Sequence, residues 1–343
     1  MDGDTAASDP ATAPPAVEEQ PAGFDSYRMR RVAGTVVARG GVLIAFGVMI
    51  LGFSLARPNT FPTWLDAKSI VTAAAPEMIV ALGLTVVLVM RDFDLSVGSM
   101  VGLADGAAVS VMAQHHIAWP VAVLVGLGLG IAAGLFTGFL VAILGGNSFI
   151  MTLGMATILT GVEYAFTGQA TIFQGFAHGF VRIGAGSWIG ISNQVWISLV
   201  IAFILWVLLD ATEIGRFMYA IGGNEEAARL SGIRTRTLRI TGFVIVAFTA
   251  AIVGILLASA GAGYTPNPGQ YLLLPAYAGA FLGAACFRPG EFNIPGTVVG
   301  VLFLGTIATG LTLLNLQTYL INLVQGAILI VAVLISTVAT RRT

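Results

Sequence analysis

The chain has 343 residues, of which 57% are hydrophobic and 10% charged, with a mean hydropathy of +0.90. A soluble domain carries about 45–50% apolar and about 25% charged residues, so this chain has too few charges to coat a soluble surface. A soluble enzyme, a nucleic-acid binder and a disulfide scaffold built on the single cysteine, Cys286, are excluded, and the unbroken apolar runs exclude a β-barrel, whose strands alternate.

Residues 1–27 hold six acidic residues, no basic one, and prolines at 10, 14, 15 and 21. Such a segment cannot bury apolar area and is expected to be a disordered, solvated tail. It lacks the positive start and apolar stretch of a secretory signal peptide. Residues 28–343 then read as one polytopic membrane domain. A span needs about 20 apolar residues. Ten intervals qualify, at 40–56, 69–90, 96–113, 117–144, 148–167, 194–212, 239–260, 271–287, 294–314 and 319–338. The expected fold class is therefore an all-α polytopic membrane protein of about ten transmembrane helices.

Ten spans put both termini on one side. With that side cytoplasmic, 13 of the 16 basic residues face inward, leaving only Arg57, Lys68 and Arg182 outside. That bias follows the positive-inside rule. The longest outer loop is then 168–193 and the longest inner loop about 213–238.

Gly126, Gly130, Gly134 and Gly138 recur every fourth residue and predict a close helix–helix contact rather than a hinge. Glu77, Asp105 and Glu163 fall inside spans, where each costs at least about 2.5 kcal/mol facing lipid. They either line a polar path or bond to neighbouring helices. His115 and His116, beside Trp119 and Pro120, read as a solvated interfacial pair, because no third metal ligand is near. No metal site and no catalytic group is expected. Asp94 in particular has no paired acid, base or ligand.

Two polar breaks resemble each other: Phe93-Asp94-Leu95-Ser96-Val97-Gly98-Ser99 and Phe292-Asn293-Ile294-Pro295-Gly296-Thr297. Either they are an internal repeat of the kind transporters carry, or N-cap chemistry recurs wherever a membrane helix restarts. Asp94, Ser96, Asn147, Ser148, Thr152 and Asn293, at or near the breaks, are candidates to line a translocation path.

The inner loop carries a punctuated segment. Asn224 suits an N-cap, Glu225 and Glu226 suit a positive helix start, and Ala227, Ala228, Arg229 and Leu230 favour helix. Gly232 suits a left-handed stop, and Gly222-Gly223 set the segment off. The expectation is a capped helix of about two turns outside the membrane, suited to docking on a cytoplasmic partner.

The run Ile221-Gly-Gly-Asn-Glu-Glu-Ala-Ala-Arg-Leu-Ser-Gly-Ile233 resembles the cytoplasmic signature of bacterial ATP-binding-cassette sugar importer permeases of the ribose/xylose/galactoside type. Asp94-Leu-Ser-Val-Gly-Ser99 and Ser148-Phe-Ile-Met-Thr-Leu-Gly154 are similar to two further signatures of that family, in order, and the resemblance covers about residues 35–338. The family usually has Gly-Gly-Ile before Asp-Leu-Ser, where this chain has Arg91-Asp92-Phe93. Its glycine-rich stretch after the eighth span is here Phe287–Pro295, and Gly146-Asn147 replaces a common Pro.

The resemblance implies a type II importer permease in the bacterial plasma membrane, with residues 222–233 as the helix that couples to a cytoplasmic ATPase. It also implies a solute-binding protein outside, and a second permease copy making a homodimer or heterodimer. ATP and magnesium would belong to the ATPase. The chain's one lysine, Lys68, precedes Ser69, but Ala67 stands where a P-loop needs the glycine before its lysine. The alternative is an ion-coupled secondary transporter working alone. The scarcity of buried carboxylates counts against it.

Overall fold

A computed structural model describes residues 41–288 and 290–340. The acidic segment 1–27 and the basic residues Arg28, Arg30, Arg31, Arg39, Arg341 and Arg342 lie outside them. Each of the ten apolar intervals holds one helix: α1 (Gly41–Ala56), α2 (Trp64–Val89), α3 (Val97–Ala113), α4 (Trp119–Gly138), α5 (Ser148–Thr167), α7 (Asn193–Trp206), α10 (Thr235–Gly261), α11 (Gln270–Gly283), α12 (Ile294–Leu313) and α13 (Thr318–Thr340). One-turn π segments, Phe139–Ile143 and Val207–Ala211, extend α4 and α7. With those extensions, six helices among the described residues (α2, α4, α5, α7, α10 and α12) are long and apolar enough to cross a membrane.

The remaining elements are short. Loop 168–193, which the sequence shows only as a loop, contains α6 (His178–Ala185) and a two-stranded hairpin, β1 (Ser187–Trp188) and β2 (Ile191–Ser192). The inner loop holds α8 (Glu213–Gly223) and α9 (Glu225–Leu230).

Helices α2, α3 and α10 form the buried centre; Ile79, Leu82, Leu84, Val101, Phe243 and Val246 are fully enclosed. The glycine ladder of α4 lies on this centre. A Cβ added at Gly134 would sit 2.8 Å from the Phe243 carbonyl oxygen, and one at Gly138 would sit 2.8 Å from Ile240 Cα. Gly130 approaches Ala247 of α10 in the same way, and Gly126 faces Ala104 and Ile255. The ladder is thus a close backbone contact, in which dispersion replaces the hydrophobic drive that lipid removes. Outward, α4, α5 and α7 expose Leu124, Leu135, Ile150, Leu199 and Phe203, as lipid-facing or subunit-facing helices do.

Loops gather at two ends. At one, Arg239 of α10 meets Asp92 after α2, Ser148 of α5 meets Phe93, and Arg288 after α11 meets Asp210 after α7. At the other, Tyr264 pairs with Ile172 through both backbone bonds, Gly175 touches Ala113, and Gly190 approaches Lys68.

Segment 262–269 leaves that second end and descends along α3. Tyr264 lies against Gly106, Asn267 bonds Glu163, which packs on Gly102, and Gly269 packs on Gly98. Gly106, Gly102 and Gly98 are successive turns of one helix face, so the segment drops about 12 Å. Helix α11 therefore begins part-way down the bundle and has only 14 residues. Glu163 anchors the descent: its Oε1 accepts from Tyr264 Oη at 2.7 Å and from the Asn267 backbone at 2.9 Å. Of the two sequence readings for Glu163, this is the neighbour-bonding one.

The ladder gives a direct test. Gly134→Leu should lower the melting temperature of the detergent-solubilised protein, through an overpacking cost of about 1–3 kcal/mol. Gly128→Leu, where nothing lies within 4 Å of the added carbon, should leave it unchanged.

Candidate functional site

The end bearing α8 and α9 carries the densest polar structure. Helix α8 starts at Thr212, whose hydroxyl accepts from Gly215 N–H at 3.2 Å. It buries Met218 and Ile221. At its end Gly222 lies directly on the Val89 carbonyl of α2, and Gly223 has nothing within 4 Å of its would-be Cβ. Only the first of the two glycines is therefore needed for packing.

Asn224 ends α8 and caps α9, its Oδ1 accepting from Ala227 N–H at 3.0 Å. Gly232, at φ +86°, stops α9 in the left-handed conformation, and Ile233 N–H returns to the Ala228 carbonyl at 3.1 Å. That is a Schellman stop, read correctly from the glycine. Ala228 is buried, while Glu226, Ala227, Arg229 and Leu230 face out; Leu230 is 77% exposed. Arg229 donates to Glu226 and holds its carboxyl below the usual range. The pair stays charged at neutral pH and is lost only as pH falls through that lowered value.

One guanidinium ties α9 to the bundle. Arg239 donates to both carboxylate oxygens of Asp92, at 2.8 and 2.7 Å, and to Glu225 Oε1 at 3.2 Å. The Asp92 side chain is 5% exposed, that of Arg239 16% and that of Glu225 48%. Two-pronged Arg–carboxylate bonding is among the stronger charged contacts. Asp92 is held in place by another Schellman stop: Arg91 takes φ +62° and Asp92 N–H reaches the Val87 carbonyl at 3.0 Å. A non-glycine residue at φ > 0 is uncommon. It occupies the stretch where the resembled family usually has glycines.

Beyond Asp92 the chain leaves the helix and turns at Leu95 and Ser96, and each backbone N–H from Phe93 to Ser96 is met by a side chain. Phe93 donates to Ser148 Oγ, Asp94 to Tyr277 Oη, Leu95 to Thr152 Oγ1 and Ser96 to Asp94 Oδ1, at 2.8–3.2 Å. Tyr277 also donates back to the Asp94 carbonyl at 3.1 Å. At the second break Asn293 caps α12, accepting from Gly296 N–H at 2.8 Å, and Tyr219 donates to the Phe292 carbonyl at 2.9 Å. Burial pushes the Tyr219 hydroxyl up to about 12, so it stays a donor.

The six path candidates therefore divide. Asp94, Ser96, Thr152 and Asn293 are buried and bonded within the protein. Asn147 and Ser148 line an open cleft of about 390 Å³ with Arg91, Asp92, Gly223 and Arg239. Tyr277 and Arg239 were not singled out in the sequence, because their partners lie 147 to 183 residues away. Among the described residues no group of three or more His, Cys, Asp and Glu could hold a metal.

Residues 67–333 match the family described as branched-chain amino acid transport system / permease component. The chain is 34% identical to ribose import permease protein RbsC of Escherichia coli (strain K12), over 85% of this chain and 92% of that protein. It is 33% identical to L-arabinose transport system permease protein AraH of the same strain, over 88% and 91%. It is 30% identical to D-allose transport system permease protein AlsC of that strain, over 85% and 90%. No solved structure matches the chain.

Two substitutions test the bonded break. Tyr277→Phe leaves Asp94 N–H buried without a partner and should cost about 1–3 kcal/mol in denaturant unfolding. Arg239→Gln strands the Asp92 carboxylate and should cost about 3 kcal/mol, part of which Asp92→Asn in the same chain should restore.

Proposed function

Since the chain belongs to the branched-chain amino acid transport system / permease component family, and is therefore a membrane transport permease and not an enzyme, we propose that it is the membrane subunit of an ATP-driven importer of a monosaccharide. The observation that carries the sugar reading is the match over at least 85% of the chain to permeases named for ribose, arabinose and allose. In this reading the protein lies in the bacterial plasma membrane with ten crossing helices and both termini inside. The charge distribution supports that orientation. Among the described residues the α9 end holds Arg91, Arg216, Arg229, Arg234, Arg236, Arg239 and Arg288, against Arg57, Lys68 and Arg182 at the other end.

Helix α9 is then the coupling element. A cytoplasmic ATPase, which binds ATP and magnesium, receives residues 222–233 in a groove, with exposed Leu230 as an apolar contact and the Glu226–Arg229 pair at its rim. A solute-binding protein delivers the sugar to the opposite end, and a second permease copy, identical or related, completes the path. Asn147 and Ser148, open to the cleft beside α9, meet solute on its way out; Asp94, Ser96, Thr152 and Asn293 shape the breaks from behind. No covalent step occurs on this chain.

Proteoliposomes holding the permease, its ATPase and its binding protein should accumulate labelled pentose only with ATP. Uptake by the permease alone on an ion gradient would overturn the reading. The open space at Gly223 sharpens the test of α9. Gly223→Trp should leave the permease folded yet cut ATP-driven uptake at least tenfold while ATP hydrolysis continues. Normal uptake by this variant would remove α9 from the coupling role.

A further inference from the structure

A second void is a half-open cleft where α3, α5 and the start of α11 meet, with Leu153 and Gln270 exposed at its mouth. Its volume is about 390 Å³, within the range of small-molecule sites (about 300–1,000 Å³). Ser99, Thr160, Asn267 and Gln270 line it with Leu153 and Leu273. Leu153 and Thr160 lie about 8 and 18 Å along α5, a helix of about 30 Å, so the void sits near mid-depth.

Three features argue against an incidental packing gap. First, segment 262–269 is non-helical backbone carried to this depth. Such backbone is tolerated in a membrane only where protein buries it or where it lines a wet cavity. Second, the segment is built to hold its position. Asn267 takes φ +55° between Pro266 and Pro268, its backbone N–H donates to Glu163, and its Nδ2 donates to Tyr164 Oη at 2.5 Å. Third, the polar lining is neutral. Thr160 Oγ1 donates to Ser99 Oγ at 3.1 Å, leaving lone pairs free, and Gln270 is exposed beside them. No lining residue is ionisable.

We infer that this cavity is the mid-membrane station for the transported solute, with Ser99, Thr160, Asn267 and Gln270 as its hydrogen-bonding groups. Hydroxyls and amides fit the rim of an uncharged polyhydroxylated ring, and Leu153 and Leu273 fit its apolar face. An amino-acid carboxylate would find no cationic partner in this lining, at a heavy desolvation cost. The site thus selects a sugar over the branched-chain amino acids in the family's description. The inference rests on the proposed importer reading and names where in the chain that reading takes effect.

The experiment uses the complete complex in proteoliposomes. Wild type is measured first: failure to take up any pentose or hexose would sink the importer reading itself. Given wild-type uptake, Thr160→Val combined with Gln270→Leu should lower sugar uptake at least tenfold and alter the preference among ribose, arabinose and allose. Thr157→Val, an exposed threonine on the same helix, should behave as wild type. Cavity variants that match the Thr157 control in rate and preference overturn the inference.

Cysteine labelling decides independently, should the double variant fail to assemble. The native chain has one cysteine, buried Cys286, so Cys286→Ser gives a silent background. Ser99→Cys and Thr160→Cys should react with a small methanethiosulfonate in a nucleotide-dependent way, and transported sugar should slow the reaction. No reaction in any nucleotide state, or no protection by sugar, overturns the inference.

Discussion

The structure depends on one constraint: in hydrocarbon, every backbone N–H and C=O must find a partner inside the protein. Helices meet it automatically; the non-helical stretch from Asp92 to Ser96 cannot. Its five consecutive N–H groups are instead met by the Val87 carbonyl, Ser148, Tyr277, Thr152 and the Asp94 side chain. These partners come from α2, α5, α11 and the break itself, so one non-helical stretch fixes how four parts of the bundle sit together. The buried polar side chains nearby are thereby explained as backbone partners before any solute is considered.

The charged end follows from the same break. Asp92 is turned inward by the Arg91 stop, and a buried carboxylate needs a partner. Arg239 supplies it and, with its remaining nitrogen, holds Glu225 in the first turn of α9. Arg239 thereby joins α9 to Asp92. Asp92 and the direct seat of Gly222 on Val89 connect α9 to the Asp92–Ser96 stretch, beside the buried Ala228, Ile221 and Met218. The contact at Gly222 is backbone against backbone and admits no side chain. The ion pair is polar and adjustable. Together they make a rigid stop and a compliant link side by side.

Much of this was legible in the sequence, for identifiable reasons. Ten apolar intervals each hold a helix because apolar length is a local property. The α9 caps were legible because Asn224 and Gly232 act within a few residues of themselves. The glycine ladder was legible because its period is helical. What escaped is non-local or looks like something else. Tyr277 and Arg239 are ordinary residues until distant partners are known. The descending segment, Gly261-Ala-Gly-Tyr-Thr-Pro-Asn-Pro-Gly269, reads as a short surface loop from composition alone. The structure shows the consequence in the helix after it, α11, which has only 14 residues although the apolar interval there runs over 271–287. The sequence placed interruptions at Phe93 and Phe292; Asn293 caps the helix after the second, while α3 starts at Ser96 without a side-chain cap. The deepest non-helical backbone among the described residues is this third one.

The two voids stand in a definite relation to the break. The outer cleft borders Arg91, Asp92 and Ser148; the mid-depth cavity borders Leu95, Gly98 and Leu153. Between them lie Phe93, Asp94, Leu95 and Thr152, the stretch whose backbone is stitched to α5 and α11. In the importer reading this stretch is the partition that solute must pass on its way to the cytoplasm. In the same reading, Arg239 and Gly222 are the contacts through which α9 reaches it. Side-chain hydroxyls, rather than helical bonds, hold the partition in place, and such bonds can exchange for water or for a sugar hydroxyl at little net cost, since each contributes only about 1 kcal/mol net. The hydroxyls of Ser148, Thr152 and Tyr277 are suited to that exchange because each can donate and accept.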